Sequence, residues 1–119
     1  MNDSYLAQLP LLDDEILVEL REVMEDEFTS LITRFLDDLP VQMDHLRRAV
    51  LLGSAAEVYR IAHKLTSSCG NLGAIRLAEW VQRIEQAGRQ NILDGVAEML
   101  AEMSTVAEET MTLLRAQLG

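Results

Sequence analysis

The run Val58-Tyr59-Arg60-Ile61-Ala62-His63-Lys64-Leu65-Thr66-Ser67-Ser68-Cys69-Gly70-Asn71-Leu72 carries the helical period most plainly. Its apolar residues are Val58, Ile61, Ala62, Leu65, Cys69 and Leu72. They fall at heptad positions a, d, e, a, e and a, which is one face of a helix. His63 falls at f, directly away from that face. Arg60 and Ser67 lie one turn to either side of it, and Gly70 lies two turns on. The spacing predicts a helix that buries one side and turns an imidazole outward. The small residues after the histidine leave room for a bulky protein partner.

The same period extends in both directions, broken by only two prolines and six glycines. Gly53 suits a left-handed helix end, and Ser54-x-x-Glu57 is a capping box for the next helix. That helix is predicted to run to about Gly70-Asn71. Gly73 is read as starting a fourth helix, with Leu77, Ala78, Val81 and Ile84 inward and Gly88 closing it. Trp80 falls at the edge of that face and fits either core or docking. Asn91 is read as capping a fifth helix with Val96, Leu100, Met103, Val106 and Leu114 inward. Upstream, Asp13 or Asp14 caps a helix carrying Ile16, Leu17, Leu20, Val23 and Met24. The acids Glu25-Asp26-Glu27 mark a break. The stripe Phe28, Leu31, Ile32, Phe35, Leu36, Leu39, Met43, Leu46, Val50 follows. Pro40 is expected to kink that helix or restart it, with Asp37 or Asp38 as a new cap. Short connections make neighbouring helices antiparallel. The expected fold is all-α: an antiparallel four-helix bundle with an additional N-terminal helix, one domain over residues 1–119. Met24, Met43, Met99, Met103 and Met111 read as packing residues.

Composition narrows the function. The 119 residues hold 20 Asp+Glu against 10 Lys+Arg, a net charge of −10. That excess argues against nucleic acid and against an anionic membrane surface as partners. The hydrophobic fraction of 49% is too high for a disordered acidic tail. No stretch approaches the length needed to span a bilayer. Met1-Asn2-Asp3-Ser4 lacks the basic and apolar regions of a signal peptide. A single cysteine, Cys69, suits a reducing cytoplasm. His45 and His63 are far apart and offer no local metal-ligand spacing, and no nucleotide-binding motif is present. His45 sits among Asp44, Arg47 and Arg48 and reads as an ordinary surface residue.

Ala62-His63-Lys64-Leu65-Thr66-Ser67-Ser68-Cys69-Gly70-Asn71-Leu72-Gly73-Ala74 resembles the signature of histidine-containing phosphotransfer (HPt) domains, roughly A-H-x-L-K-G-S-S-x-x-L-G-A. The continuation Leu77-Ala78-Glu79 through Ile84-Glu85-Gln86-Ala87-Gly88-Arg89 resembles the helix that follows in that family. The specific part of the resemblance spans about residues 58–89. It implies a free-standing, monomeric phosphorelay carrier rather than an enzyme, with no ATP or metal site and no cofactor of its own. His63 would accept a phosphoryl group from the aspartyl phosphate of a receiver domain on a hybrid sensor kinase. It would then pass the group to a response-regulator receiver, and the receiver would supply Mg²⁺.

The resemblance also implies supporting roles. Glu85 matches a position where Gln or Glu hydrogen-bonds the second ring nitrogen; the other reading is an exposed surface acid. Lys64 and Arg60 can set positive charge beside an incoming phosphoryl group, or serve solubility alone. Two departures stand out: Thr66 replaces a common lysine and Ser67 replaces a common glycine. They motivate an alternative, a helical adaptor that binds a receiver without carrying phosphate. Charge is also unevenly spread. Residues 1–44 sum to −10, residues 45–92 to +4 and residues 93–119 to −4. The histidine thus lies in the one basic segment, and Gly70, Arg83 and Arg89 are expected to help dock the acidic pocket of a receiver.

Overall fold

Five helices follow one another through the chain in a computed structural model that describes residues 4–118. Met1 to Asp3, read above for a leader, lie outside the described residues. The helices are α1 (Asp14–Met24), α2 (Glu27–Leu51), α3 (Ala55–Leu72), α4 (Ile75–Arg89) and α5 (Val96–Ala116). A 3-10 turn, Ser4–Gln8, precedes them. Each of α2 to α5 packs on its neighbours in sequence, and α5 returns to α2, which closes a four-helix bundle. Helix α1 lies against α2 and α3, and the 3-10 turn rests on α4. The broadest packing joins α3 to α4.

The expected core face of α3 is the observed one: Val58, Ile61, Ala62, Leu65, Cys69 and Leu72 are all buried. The α5 stripe also holds, joined by Ala107, Thr110 and Met111. Buried Thr110 donates its hydroxyl to the Val106 carbonyl at 2.7 Å, so it brings no unmet polar group inside. Trp80 is buried and belongs to the core. Helix α1 contributes less than its pattern suggests, for only Leu17 is buried and Val23 is 82% exposed. The 3-10 turn adds a further core residue from the α4 side, since its Leu6 is fully buried.

Helix ends correct several expectations. Asp13 caps α1, accepting from the backbone of Glu15 and Ile16. Gly53 adopts φ +69 and ends α2, with Gly53 N–H donating to Val50 and Ser54 N–H to Ala49. The capping box is therefore half formed. Ser54 Oγ accepts from Glu57 N–H at 3.4 Å, but Glu57 turns to Arg60 instead of back to Ser54. Gly73 does not start α4; it ends α3 in the left-handed region at φ +76, and Gly70 lies inside α3. Asn91 does not cap α5 either. At φ 57 it ends α4, with Ile92 N–H bonded to the Ala87 carbonyl, while Gly95 precedes α5. Asn is among the few residues that tolerate this conformation. Pro40 does not restart a helix, since α2 is continuous from Glu27 to Leu51. Pro40 is exposed, so water can serve the carbonyl it leaves free, while buried Phe35, Leu39 and Met43 hold the helix to the bundle.

Burial pushes the Cys69 thiol up to about 12. The unfolded chain would ionise this thiol first, so its contribution to stability is whole below its ordinary value and is lost as pH rises towards 12. A thiol-reactive chromophore is expected to label the native chain only as fast as the bundle opens, and at once in denaturant. Immediate labelling of the native chain would contradict this burial.

Candidate functional site

The α3–α4 packing places the two helices of the candidate site side by side. Their backbones meet closely where Gly88 faces α3: a Cβ there would lie 2.7 Å from Tyr59 N and 3.0 Å from Ala55 O. At this approach a side chain on α4 can reach the flank of a residue on α3. Glu85, one turn before Gly88, does so. It is buried at 5% exposure, yet its Oε2 lies 2.9 Å from His63 Nδ1. The His63 side chain is 56% exposed. The surface-acid reading of Glu85 is therefore replaced: the carboxylate sits in the wall behind the imidazole.

A carboxylate accepts, so the bond to Glu85 is the one that the Nδ1–H tautomer of the ring makes, with Nδ1–H donating. In that tautomer Nε2 carries the lone pair, and the ring that holds it is exposed. A second group approaches the same carboxylate, with Arg89 Nη2 3.8 Å from Glu85 Oε2. Arg89 also lies over the Tyr59 ring, 5.4 Å from its centroid. Tyr59 in turn stacks on the His63 ring, with centroids 5.5 Å apart and planes 21° apart. The sequence signal for Tyr59 is its place four residues before His63, the spacing that puts two side chains on one helix face.

The other expected residues divide. Lys64 and Ser67 are exposed next to His63, and Ser67 Oγ leans on the His63 carbonyl at 3.4 Å. Thr66 is half-buried and donates to the Ala62 carbonyl at 2.9 Å, so it presents no cation where the family often has one. Arg60 is held by Glu57 through two hydrogen bonds of 3.1 and 2.7 Å, which raises the guanidinium and lowers the carboxyl from their ordinary values. Its charge is largely answered within α3. Gly70 is exposed, and a Cβ there would meet nothing within 4 Å. Arg83 is not brought to this face. It stands two residues before Glu85, about 200° round the helix, and reaches Tyr5 at 3.1 Å. The basic segment thus scatters its charges, and Lys64, Arg60 and Arg89 are those next to His63. His45 is exposed on α2, where the neighbouring Arg47 pairs with Asp44 at 2.8 Å. Among the described residues no three metal-ligating side chains come together, and no helix is long and apolar enough to cross a membrane.

This geometry defines a class: a helical bundle that presents an imidazole on an exposed face, with a buried carboxylate hydrogen-bonded to the ring from behind. The profile of the Hpt domain family matches residues 30–117, and the chain belongs to that family of phosphotransfer carriers. Among solved structures it is similar to histidine-containing phosphotransfer protein B (HptB) from Pseudomonas aeruginosa PAO1. The two share 28% sequence identity and superpose with a TM-score of 0.89, over 92% of this chain and 95% of that one. No curated protein matches the sequence.

Proposed function

We propose that His63 accepts a phosphoryl group on Nε2 from the aspartyl phosphate of a receiver domain on a hybrid sensor kinase. It then yields the group to a response-regulator receiver. The observation that carries this reading is the 2.9 Å contact between His63 Nδ1 and buried Glu85. In the forward step the Nε2 lone pair forms an N–P bond. The acyl phosphate P–O bond breaks, and the donor aspartate leaves as a carboxylate. As Nε2 gives up its pair, the ring gains positive charge while keeping its Nδ1 proton. Glu85 stands where that charge develops, an arrangement that favours the transition state over the resting ring. The reverse step follows the same path. The receiver brings the Mg²⁺ and the carboxylates; this chain brings position and charge, which is most of what phosphoryl transfer asks of a protein. Lys64 and Arg89 supply cations beside the incoming phosphoryl group. This traffic belongs in the cytoplasm, with the carrier acting as a monomer.

The test is incubation with a phosphorylated receiver domain. Acid-labile label on this chain is expected. A stable complex without phosphohistidine would overturn the carrier reading in favour of the adaptor.

Gly70 gives a second check. Its open surroundings mean that Gly70→Ala adds a methyl group without a clash. The change should raise stability by about 0.5–1 kcal/mol, through a better helix former and a more restricted unfolded chain. Receiver docking should weaken at the same time, because the methyl group stands on the face that His63 shares. Thermal unfolding and a binding titration check the two halves separately. Unchanged affinity would remove Gly70 from the docking face.

A further inference from the structure

We propose that Tyr59 is a positioning residue for the phosphoryl acceptor, acting as a wall that sets the plane of the His63 ring. The inference rests on the reading of His63 above and adds a residue to it. A hydrogen bond at Nδ1 fixes where one edge of the imidazole points, but it leaves the ring free to rock about that bond. Torsions of this kind are broad for a histidine. The ring is also more than half exposed, so solvent does nothing to restrain it.

Tyr59 lies one turn back on the same face of α3, with its plane 21° from that of the imidazole. The 5.5 Å separation lies within the range in which offset aromatic pairs attract. Tyr59 is itself held. Its backbone is packed under Gly88, and Arg89 lies over its ring. Arg89 also approaches Glu85, so one guanidinium braces both groups that orient His63. The contact is made by ring faces, which assigns the role to the aromatic ring and not to its hydroxyl.

A nucleophile must lie in line with the phosphorus and the leaving oxygen, and small misplacements cost rate steeply. Loss of the wall should therefore appear in the rate of transfer and not in receiver affinity. The experiment measures transfer from a phosphorylated receiver to wild type, Tyr59→Phe and Tyr59→Leu at several receiver concentrations. In parallel, nitrogen-15 NMR follows the His63 ring in the unphosphorylated proteins. Tyr59→Leu is expected to lower the maximal rate on the order of tenfold, with half-saturation within about twofold of wild type. The His63 Nδ1 proton should exchange with water faster in that variant. Tyr59→Phe should restore both readouts. If Tyr59→Leu fails to fold, Tyr59→Met takes its place, with circular dichroism confirming the helix content. Wild-type rate and exchange in a folded variant without the ring would overturn the proposal. So would a Phe variant as slow as Leu. A wild-type chain that takes no label would instead overturn the carrier reading itself.

Discussion

His63→Gln is expected to reduce phosphoryl acceptance to background while leaving the fold intact. The side chain is exposed and contributes nothing to the buried core, so its removal opens no cavity. Gln can still donate an amide N–H towards Glu85, which spares that carboxylate the cost of losing its partner. An amide nitrogen is not a nucleophile, however, so the covalent step is removed and not merely slowed. Receiver binding should persist, since Lys64, Ser67, Gly70 and Arg89 remain. Residual label of wild-type size would move the acceptor elsewhere, with exposed His45 the first alternative. Binding and transfer thus separate in one variant.

Gly88→Ala is expected to be the most damaging single methyl group in the bundle. Its Cβ would fall 2.7 Å from Tyr59 N and 3.0 Å from Ala55 O, both backbone atoms that no rotamer change can move. Helices α3 and α4 must separate, and they share the broadest packing in the molecule. Overpacking of this kind costs about 1–3 kcal/mol, only partly offset by the better helix propensity of alanine. A fall in Tm on the order of 10 °C follows for a chain of this size. The same separation pulls Glu85 away from His63 and lifts Tyr59 off the ring, so transfer should slow even at temperatures where the variant is folded. Differential scanning calorimetry and a low-temperature transfer assay check the two effects. A variant of wild-type stability would show that the helices are less close than Gly88 makes them.

The contrast between these residues explains what could be read in advance. The outward place of His63 follows from a period local to one helix, and all six apolar residues opposite it are buried. Glu85 was ambiguous because burial of an acid depends on what packs over it, and that cover is α3, some twenty residues away in sequence. Gly88 has two readings in the sequence, since glycine looks the same whether it ends a helix or admits a neighbouring backbone, and here it does the second one residue before α4 ends. Asn91 and Gly73 close the helix before their turns and do not open the one after, for a related reason: a left-handed residue serves the helix it closes, while a cap serves the helix it opens. Pro40 illustrates a tertiary override, in which buried neighbours on either side hold the helix through an exposed proline. Arg83 and Arg89 share charge but not direction, for rotation about α4 sends Arg83 to Tyr5 on the other side. Positions six residues apart share neither register nor partner by default.

The most direct test of this account is the identity of the phosphorylated atom. Wild-type protein labelled with nitrogen-15 on its histidines is to be phosphorylated by a phosphorylated receiver and examined by phosphorus and nitrogen NMR. The account predicts one phosphorus–nitrogen coupling, at His63 Nε2, with the proton retained on Nδ1 beside Glu85. Phosphorus on His63 Nδ1, on His45 or on any other side chain would contradict it.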